Sequence, residues 1–479
     1  MPLLLSLPPG AAIVPGPRGG VELRAGSGAV QIPSPGTALA MERLVAGPAS
    51  PDDLTGQVID TDGCAALGAL LALLFGLADR RLLSCTLVAD GVALATACPV
   101  PIDLLAGEEA REEEQRWALS RFAYVHREAN AMLLETPLSR TRITVHDARL
   151  FPLFLTAGPL ALDASCAPGD TAADLMRLLR DSGFLTPIDR AGKPLEDQRL
   201  ELLAWEFHDL LFHASSRLGR HDRPYGATLR LQETLPPPPA LKPPMARRVV
   251  RLVRPSLASI ERRDPPFTRV LERRRSERDH GATPITLDEV GRFLFRSSRA
   301  REFWRVGEFE VARRVYPGGG AAYELELYLA VNRCKGLLPG LYHYRPGDHC
   351  LSRLSSATPE VGALIDAAGH TQHSAPPHIL IVVTARVQRL FWKYSGMAYA
   401  IVLKDVGVLF QTMHLVAEAM GLAACALGGG NADLFARASG VDYYEEPSVA
   451  EFTLGRRVGT RRPIREARAT SCRNGRSLA

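Results

Sequence analysis

The chain has 479 residues, 46% of them apolar, with 57 Lys and Arg against 52 Asp and Glu for a net charge of +5. That length exceeds one ordinary core, so two or three domains are expected, and so small a positive excess gives no electrostatic case for nucleic acid. Eight cysteines, at 64, 85, 98, 166, 334, 350, 425 and 472, stand singly without a C-x-x-C pair. They read as reduced thiols of a cytoplasmic protein, with no zinc site and no disulfide framework.

The opening run MPLLLSLPPGAAIVPGPRGG lacks a basic leader segment and is broken by proline, so it is not expected to be a signal peptide. Residues 20–34 alternate like a hairpin turning at Gly26-Ser27-Gly28. Helical periodicity follows in TALAMERLVAG, in SPDDLTGQVI with Ser50 or Asp52 as its cap, and over 64–78. The last of these is too short to cross a bilayer, and no membrane association is expected. LLSCTLVADGVALATACPV reads as a second hairpin turning at Asp90-Gly91. A similar order recurs: strand-like HREANAMLLETPLSRTRITVHD, a helix over 171–185 closed by Gly183, and a turn at TPIDRAGK. This is the pattern of two small winged-helix-like modules, at 1–105 and 106–232, whose sheet edges could accept an extended peptide. The spacing of LEDQRLELLAWEFHDLLFHASSR predicts one helix, with Phe207, His208, Leu210 and Phe212 as packing residues.

ETLPPPPALKPPM marks the clearest break, and 233–264 reads as a proline-rich and basic linker. Beyond it, 265–460 is mixed α and β, and 461–479 is a basic tail expected to be disordered. PITLDEVGRFLFRSSR carries a capping box of Thr286 and Glu289. YELELYLAVN and PHILIVVTARV are strands, the second apolar enough to be buried on both faces.

Three segments carry chemistry. RRRSER, 273–278, offers planar guanidinium forks that suit phosphate, with Arg274, Ser276 and Arg278 facing one way in an extended backbone. Tyr316-Pro317-Gly318-Gly319-Gly320-Ala321 lets the backbone pass close to a flat ligand. In 392–430, Lys393 and Tyr394 stand at the mouth of a long apolar helix. Neighbours on a helix diverge by about 100°, so the two converge only where the backbone leaves helical geometry. A lysine beside a phenol can make it a usable base. Asp405 and Gln411 interrupt the apolar helix and suggest an internal hydrogen bond or a ligand contact. Gly428, Gly429 and Gly430 close it, and Arg456 or Arg457 offers a late phosphate contact.

In this order, LERRRSERDHG, VYPGGGAAYELELY, GLYHYRPGDH, the run from Arg389 to Gly430 and EEPSVAEFTLG resemble the nitroreductase-like flavoenzymes, and within them the SagB-type dehydrogenases, the azoline oxidases of ribosomal peptide pathways. The resemblance implies an α+β chain: a homodimeric FMN domain with a mixed sheet flanked by helices, preceded by peptide-clamp modules. It implies FMN held by Arg274, Arg275, Ser276 and Arg278, with Gly428 to Gly430 against the isoalloxazine; Gln411 and Arg456 join the expected cofactor set on the reading of the residues above. Pro317, Gly318, Gly319 and Gly320 would reach it from the other subunit, Gly318 standing where the family often has Ser. Lys393 and Tyr394 match the family's catalytic pair. The implied partners are an azoline-containing precursor peptide and a cyclodehydratase complex. Three other readings stay open: an NAD(P)H-dependent nitroreductase of small aromatics, a SagB-type enzyme performing a different peptide oxidation, and a non-catalytic peptide-binding scaffold.

Overall fold

The computed structural model describes residues 3–16, 20–26, 28–106, 116–154 and 170–459. The expected disordered tail, Ser27 and Cys166 lie outside them. The chain divides into two compact units, Met1–Arg223 and Pro224–Ala479.

In the first unit, helices α1 (Pro35–Ala46), α2 (Pro51–Asp62), α3 (Leu67–Asp79) and α4 (Asp170–Asp181) accompany one sheet. The caps follow from the sequence: Ser34 accepts from the Thr37 amide, and Ser50 forms a capping box with Asp53. The sheet strands are β1 (Leu3–Ser6), β2 (Ser84–Ala89), β3 (Val92–Cys98), β4 (Tyr124–Glu128), β5 (Ala131–Glu135) and β6 (Arg142–Val145). Their order is β1-β2-β3-β6-β5-β4, with every neighbour antiparallel. The hairpin predicted near Gly26 forms from Val21–Ala25 and Gly28–Ile32, in a separate three-stranded sheet.

The two expected modules are therefore not independent. β3 of the first pairs with β6 of the second, and a single apolar core runs from Leu5 and Met41 through Leu94 to Ile143 and Leu178. The predicted single helix near residue 205 is also divided, into Leu200–Leu203 and Phe207–Ser215. The Arg121 guanidinium donates to the Leu202 and Trp205 carbonyls at 2.8 and 3.2 Å, satisfying acceptors that a continuous helix would have used. Phe207, His208 and Phe212 are exposed, with Phe207 edge-on to the Tyr124 ring at 6.0 Å.

The second unit is built on β7 (Val249–Arg251), β8 (Leu325–Val331), β9 (Gly340–Arg345), β10 (Cys350–Ser355), β11 (Ile379–Ala385), β12 (Leu422–Leu427) and β13 (Ser448–Arg456). The order is β7-β10-β9-β8-β11-β13-β12, again with every neighbour antiparallel. All seven residues of β8 and of β11 are buried. Alternation sends Leu325, Leu327 and Leu329 to one face, with α6 (Leu287–Ser298), α8 (Gln388–Phe391) and α9 (Ala398–Met420). Tyr328 and Ala330 go to the other, with α7 (Pro359–Thr371) and α10 (Ala432–Ser439). Helix α5 (Phe267–Arg273) packs on α9. Each fully buried Leu or Val in these layers contributes about 1.5–3 kcal/mol. The 23-residue α9 is apolar enough to cross a membrane by length and composition, yet half of it is buried as a core helix.

The proline-rich stretch is not a free linker. The Pro238 and Pro239 carbonyls accept from Arg389 and Arg386 at 2.6 and 2.8 Å, and β7 joins the sheet. Prolines supply acceptors without amides of their own, and these arginines use them.

Candidate active site

Lys393 and Tyr394 lie between α8 and α9, before the long helix rather than in it. Gly396 at φ +71° breaks the helical path, and α9 begins at Ala398. A strap formed by the start of the second unit fixes this loop. Gly226 and Ser395 exchange both backbone hydrogen bonds, at 3.1 and 2.9 Å, and the Leu229 amide donates to the Lys393 carbonyl at 3.0 Å. The Trp392 indole donates to the Leu235 carbonyl at 2.7 Å. Lys393 Nζ stands 5.6 Å from the Phe309 ring centre and 5.3 Å from that of Tyr394.

The glycine turn packs directly on this pair. Gly320 has φ +57°, and a Cβ there would overlap the Tyr394 hydroxyl and stand 3.2 Å from Lys393 Nζ. Lysine and phenol thus converge on one point of bare backbone. The Gly319 amide donates to Asp405 Oδ2 at 2.8 Å, the internal bond expected of a carboxylate inside an apolar helix.

Sequence reasoning missed the residue facing Asp405. Glu324 is fully buried, and its neighbour Asp405 is 7% exposed. Burial and then the Asp405 charge push Glu324 up to about 8, while burial raises Asp405 against the pull of the Gly319 amide. Two residues on, Glu326 is equally buried and moves the other way. Burial opposes its charge, but the His343 hydrogen bond at 3.0 Å, helped by Arg314 and Arg386, holds it below the usual range. The only sequence signal was the pair of glutamates inside YELELYLAVN.

The arginine segment sits at the other end of α9. The Glu277 amide donates to the Ala424 carbonyl at 2.9 Å, and Glu277 pairs at 2.9 Å with Arg457, which also binds Glu418 in the last turn of α9. A cleft of ≈ 490 Å³ here is lined by Arg275, Ser276, Arg278, Ser374 and Arg457 together with the carboxylates Glu277 and Asp279, and Arg275 pairs with Glu277 at 3.0 Å. Arg274 lies near His414, which burial and then Arg274 push down to about 4. Arg456 departs from expectation: its guanidinium is taken by Glu289, with contacts of 3.1 and 2.9 Å. Arg457, the next residue along the strand, faces the cleft instead. Gln411 and Gly428 to Gly430 are exposed. A Cβ at Gly430 would meet Glu451, a carboxyl that burial pushes up to about 7.

An FMN-like ligand fits these parts. The cleft supplies guanidiniums and a hydroxyl for a phosphate, and Gly428 and Gly429 have nothing within 4 Å of where a Cβ would stand, leaving bare backbone for a flat ring. Helix α9, 23 residues and about 34 Å long, starts shortly after Lys393 and Tyr394, and Glu418 in its last turn reaches Arg457 at the cleft.

Two family models match the chain: cyanobactin oxidase ThcOx over residues 117–222 and the nitroreductase family over 271–456. A Methanocaldococcus jannaschii protein described as a nitroreductase is 30% identical over 160 residues, 33% of this chain and 76% of its own. The microcin B17-processing protein McbC of Escherichia coli is 27% identical over 114 residues, 23% of this chain and 42% of its own. Among solved structures, a nitroreductase-like protein of Ralstonia eutropha aligns at 20% identity and TM-score 0.36, over 47% of this chain and 96% of that one. The E. coli microcin synthetase McbBCD complex with truncated pro-MccB17 aligns at 18% and 0.33, over 48% and 80%. The antiparallel sheet between helix layers, the arginine cleft and the extent of the archaeal match together make this chain an oxidoreductase of the nitroreductase family.

Proposed function

We propose that the chain is a SagB-type dehydrogenase that oxidises thiazolines or oxazolines of a precursor peptide to thiazoles or oxazoles. The observation that carries this is the convergence of Lys393 Nζ and the Tyr394 hydroxyl on the Gly320 turn. An azoline Cα–H, next to a carbonyl and an imine, is acidic enough for a positioned phenolate to remove. The Tyr394 oxygen, in its anionic form stabilised by Lys393 beside it, takes that proton and becomes the phenol. FMN, when bound, supplies a two-electron acceptor that molecular oxygen reoxidises. Arg274, Arg275, Ser276, Arg278 and Arg457 would hold its phosphate and ribityl chain, and Gly428 and Gly429 would leave room for its ring.

The placement of the arginine cleft and of Lys393 and Tyr394 toward opposite ends of α9 is in keeping with a homodimer in which one copy provides the cleft and the other provides Pro317 to Gly320, Lys393 and Tyr394. An outward stripe on α9 suits that contact: Tyr399 and Leu403 are 40% and 41% exposed, and Gly407 and Gln411 continue it. In the first unit, β1 and β4 are sheet edges available to an extended peptide, in keeping with the ThcOx match over 117–222. Ring closure with loss of water must precede oxidation, so a cyclodehydratase is the natural partner. All six described cysteines are free, which suits work in the cytoplasm.

The test is an azoline peptide incubated with the yellow protein. Loss of two hydrogens per ring is expected, and Lys393→Ala and Tyr394→Phe should retain flavin but lose turnover. Rapid NAD(P)H-driven nitroarene reduction with azolines untouched would replace this reading with a generic nitroreductase.

A further inference from the structure

The buried carboxyls of Asp405 and Glu324 take no part in the chemistry described so far. Both Glu324 oxygens lack a conventional donor although the side chain is fully buried. The nearby cations do not serve it. Arg389 spends Nε, Nη1 and Nη2 on the carbonyls of Ala322, Pro238 and Glu310. Arg314 donates to the carbonyls of Leu325 and Tyr323 and lies near Glu326. Tyr323 gives its hydroxyl hydrogen to the Tyr316 carbonyl. The buried Tyr316 phenol, which accepts from Arg314 at 3.5 Å, lies near both carboxyls, and Asp405, which meanwhile accepts from the Gly319 amide, faces Glu324. Lys393 and Tyr394 face the same turn from the α8–α9 loop. Two facing ionised carboxylates, one of them without a donor, repel, whereas one proton between them satisfies Glu324 and leaves Asp405 an acceptor for Gly319.

We propose that Asp405 and Glu324 share one proton and act as positioning residues, holding the Gly318 to Gly320 turn against Lys393 and Tyr394. This rests on the reading of those two residues as the working pair. The shared proton stays within the carboxyl pair throughout; its loss at alkaline pH sets the carboxylates apart and releases the turn. Burial and mutual charge place that loss near pH 8. Glu324→Gln and Asp405→Asn each replace the shared proton with a permanent amide hydrogen, so geometry is kept and titration removed. Asp405→Ala removes the acceptor for Gly319.

The experiment uses full-length holoenzyme carrying a single fluorotyrosine at position 394, read by 19F NMR and by azoline turnover from pH 6 to pH 9.5. In the wild type, the 19F signal and kcat are expected to move together as the pair titrates. In Glu324→Gln and Asp405→Asn the alkaline movement should disappear, with at least a third of wild-type kcat at pH 7. Asp405→Ala should shift the 19F signal at all pH values and lower kcat at least tenfold with little change in KM. A signal at 394 indifferent to Asp405→Ala, or an alkaline movement that persists in Glu324→Gln, overturns the proposal. A wild type that shows the 19F titration but leaves azolines untouched supports the positioning pair and refutes the azoline reading instead.

Discussion

Replacing Gly320 by Ala tests the contact on which the proposed chemistry depends. The residue adopts φ +57°, a left-handed conformation that costs an alanine roughly 1–2 kcal/mol. In a domain of this size each kcal/mol moves the melting temperature by about 2–4 °C, so a loss of about 2–8 °C is expected. The larger effect is steric. The new Cβ would overlap the Tyr394 hydroxyl, which must retreat by about 1 Å, and a displacement of that size can cost on the order of 100-fold in rate. That corresponds to about 2.7 kcal/mol of lost transition-state stabilisation. The assay is loss of two hydrogens from an azoline peptide followed by mass spectrometry, normalised to bound flavin. Gly362→Ala serves as the control, since nothing lies within 4 Å of a Cβ there and α7 gains helix propensity. A Gly320→Ala enzyme whose kcat per flavin stays within threefold of wild type would refute the argument, because the hydroxyl would then not be working where the turn holds it.

Three further outcomes follow from the geometry. Arg457→Ala should lower flavin content, whereas Arg456→Ala should keep it and lose only a partly exposed ion pair to Glu289, worth about 0–1 kcal/mol; equal flavin loss in both would reverse that assignment. Removing residues 1–223 should raise the peptide KM and leave flavin bound, while removing 1–232 should also lower kcat, because it deletes the Gly226–Ser395 bridge; equal kcat in the two truncations would contradict the strap. In the first unit, burial works to raise Glu135, but Arg223, His126 and Tyr124 hold it down at about 2. Its folded form therefore binds a proton less readily than the unfolded chain, and its contribution is complete above about pH 4.5 and lost as pH falls toward 2. The melting transition of that unit should drop between pH 5 and pH 2, and Glu135→Gln should flatten the drop, as calorimetry would record.

Local chemistry was legible in the chain where neighbours in sequence are neighbours in space. Ser50 with Asp53 and Thr286 with Glu289 announce their helix starts, and the unbroken apolar run of β11 announces a central strand. What depends on distant pairing was not. Asp405 stands out in an apolar helix, but nothing along the chain links it to Glu324. Whether Arg456 or Arg457 enters the arginine cleft turns on which side of a strand end Glu289 occupies, and that is a property of the packed α6. The segment 233–264 has the composition of a linker because proline lacks amides; its carbonyls still bind the half-buried Arg386 and the buried Arg389, a use invisible until those arginines are placed. The two expected N-terminal modules fused for a similar reason: hairpin signals mark each strand pair but not the pairing of β3 with β6.

The strap at Gly226, Leu229 and Leu235 lies upstream of residues 271–456, the portion matched by the nitroreductase family. The loop bearing Lys393 and Tyr394 is therefore scaffolded from outside the region the family shares. Grafting Trp-Lys-Tyr into a plain nitroreductase would transfer the side chains without the splint that aligns them. Any attempt to build this reactivity on another member of the fold has to carry both pieces, and the splint alone should be silent without the loop.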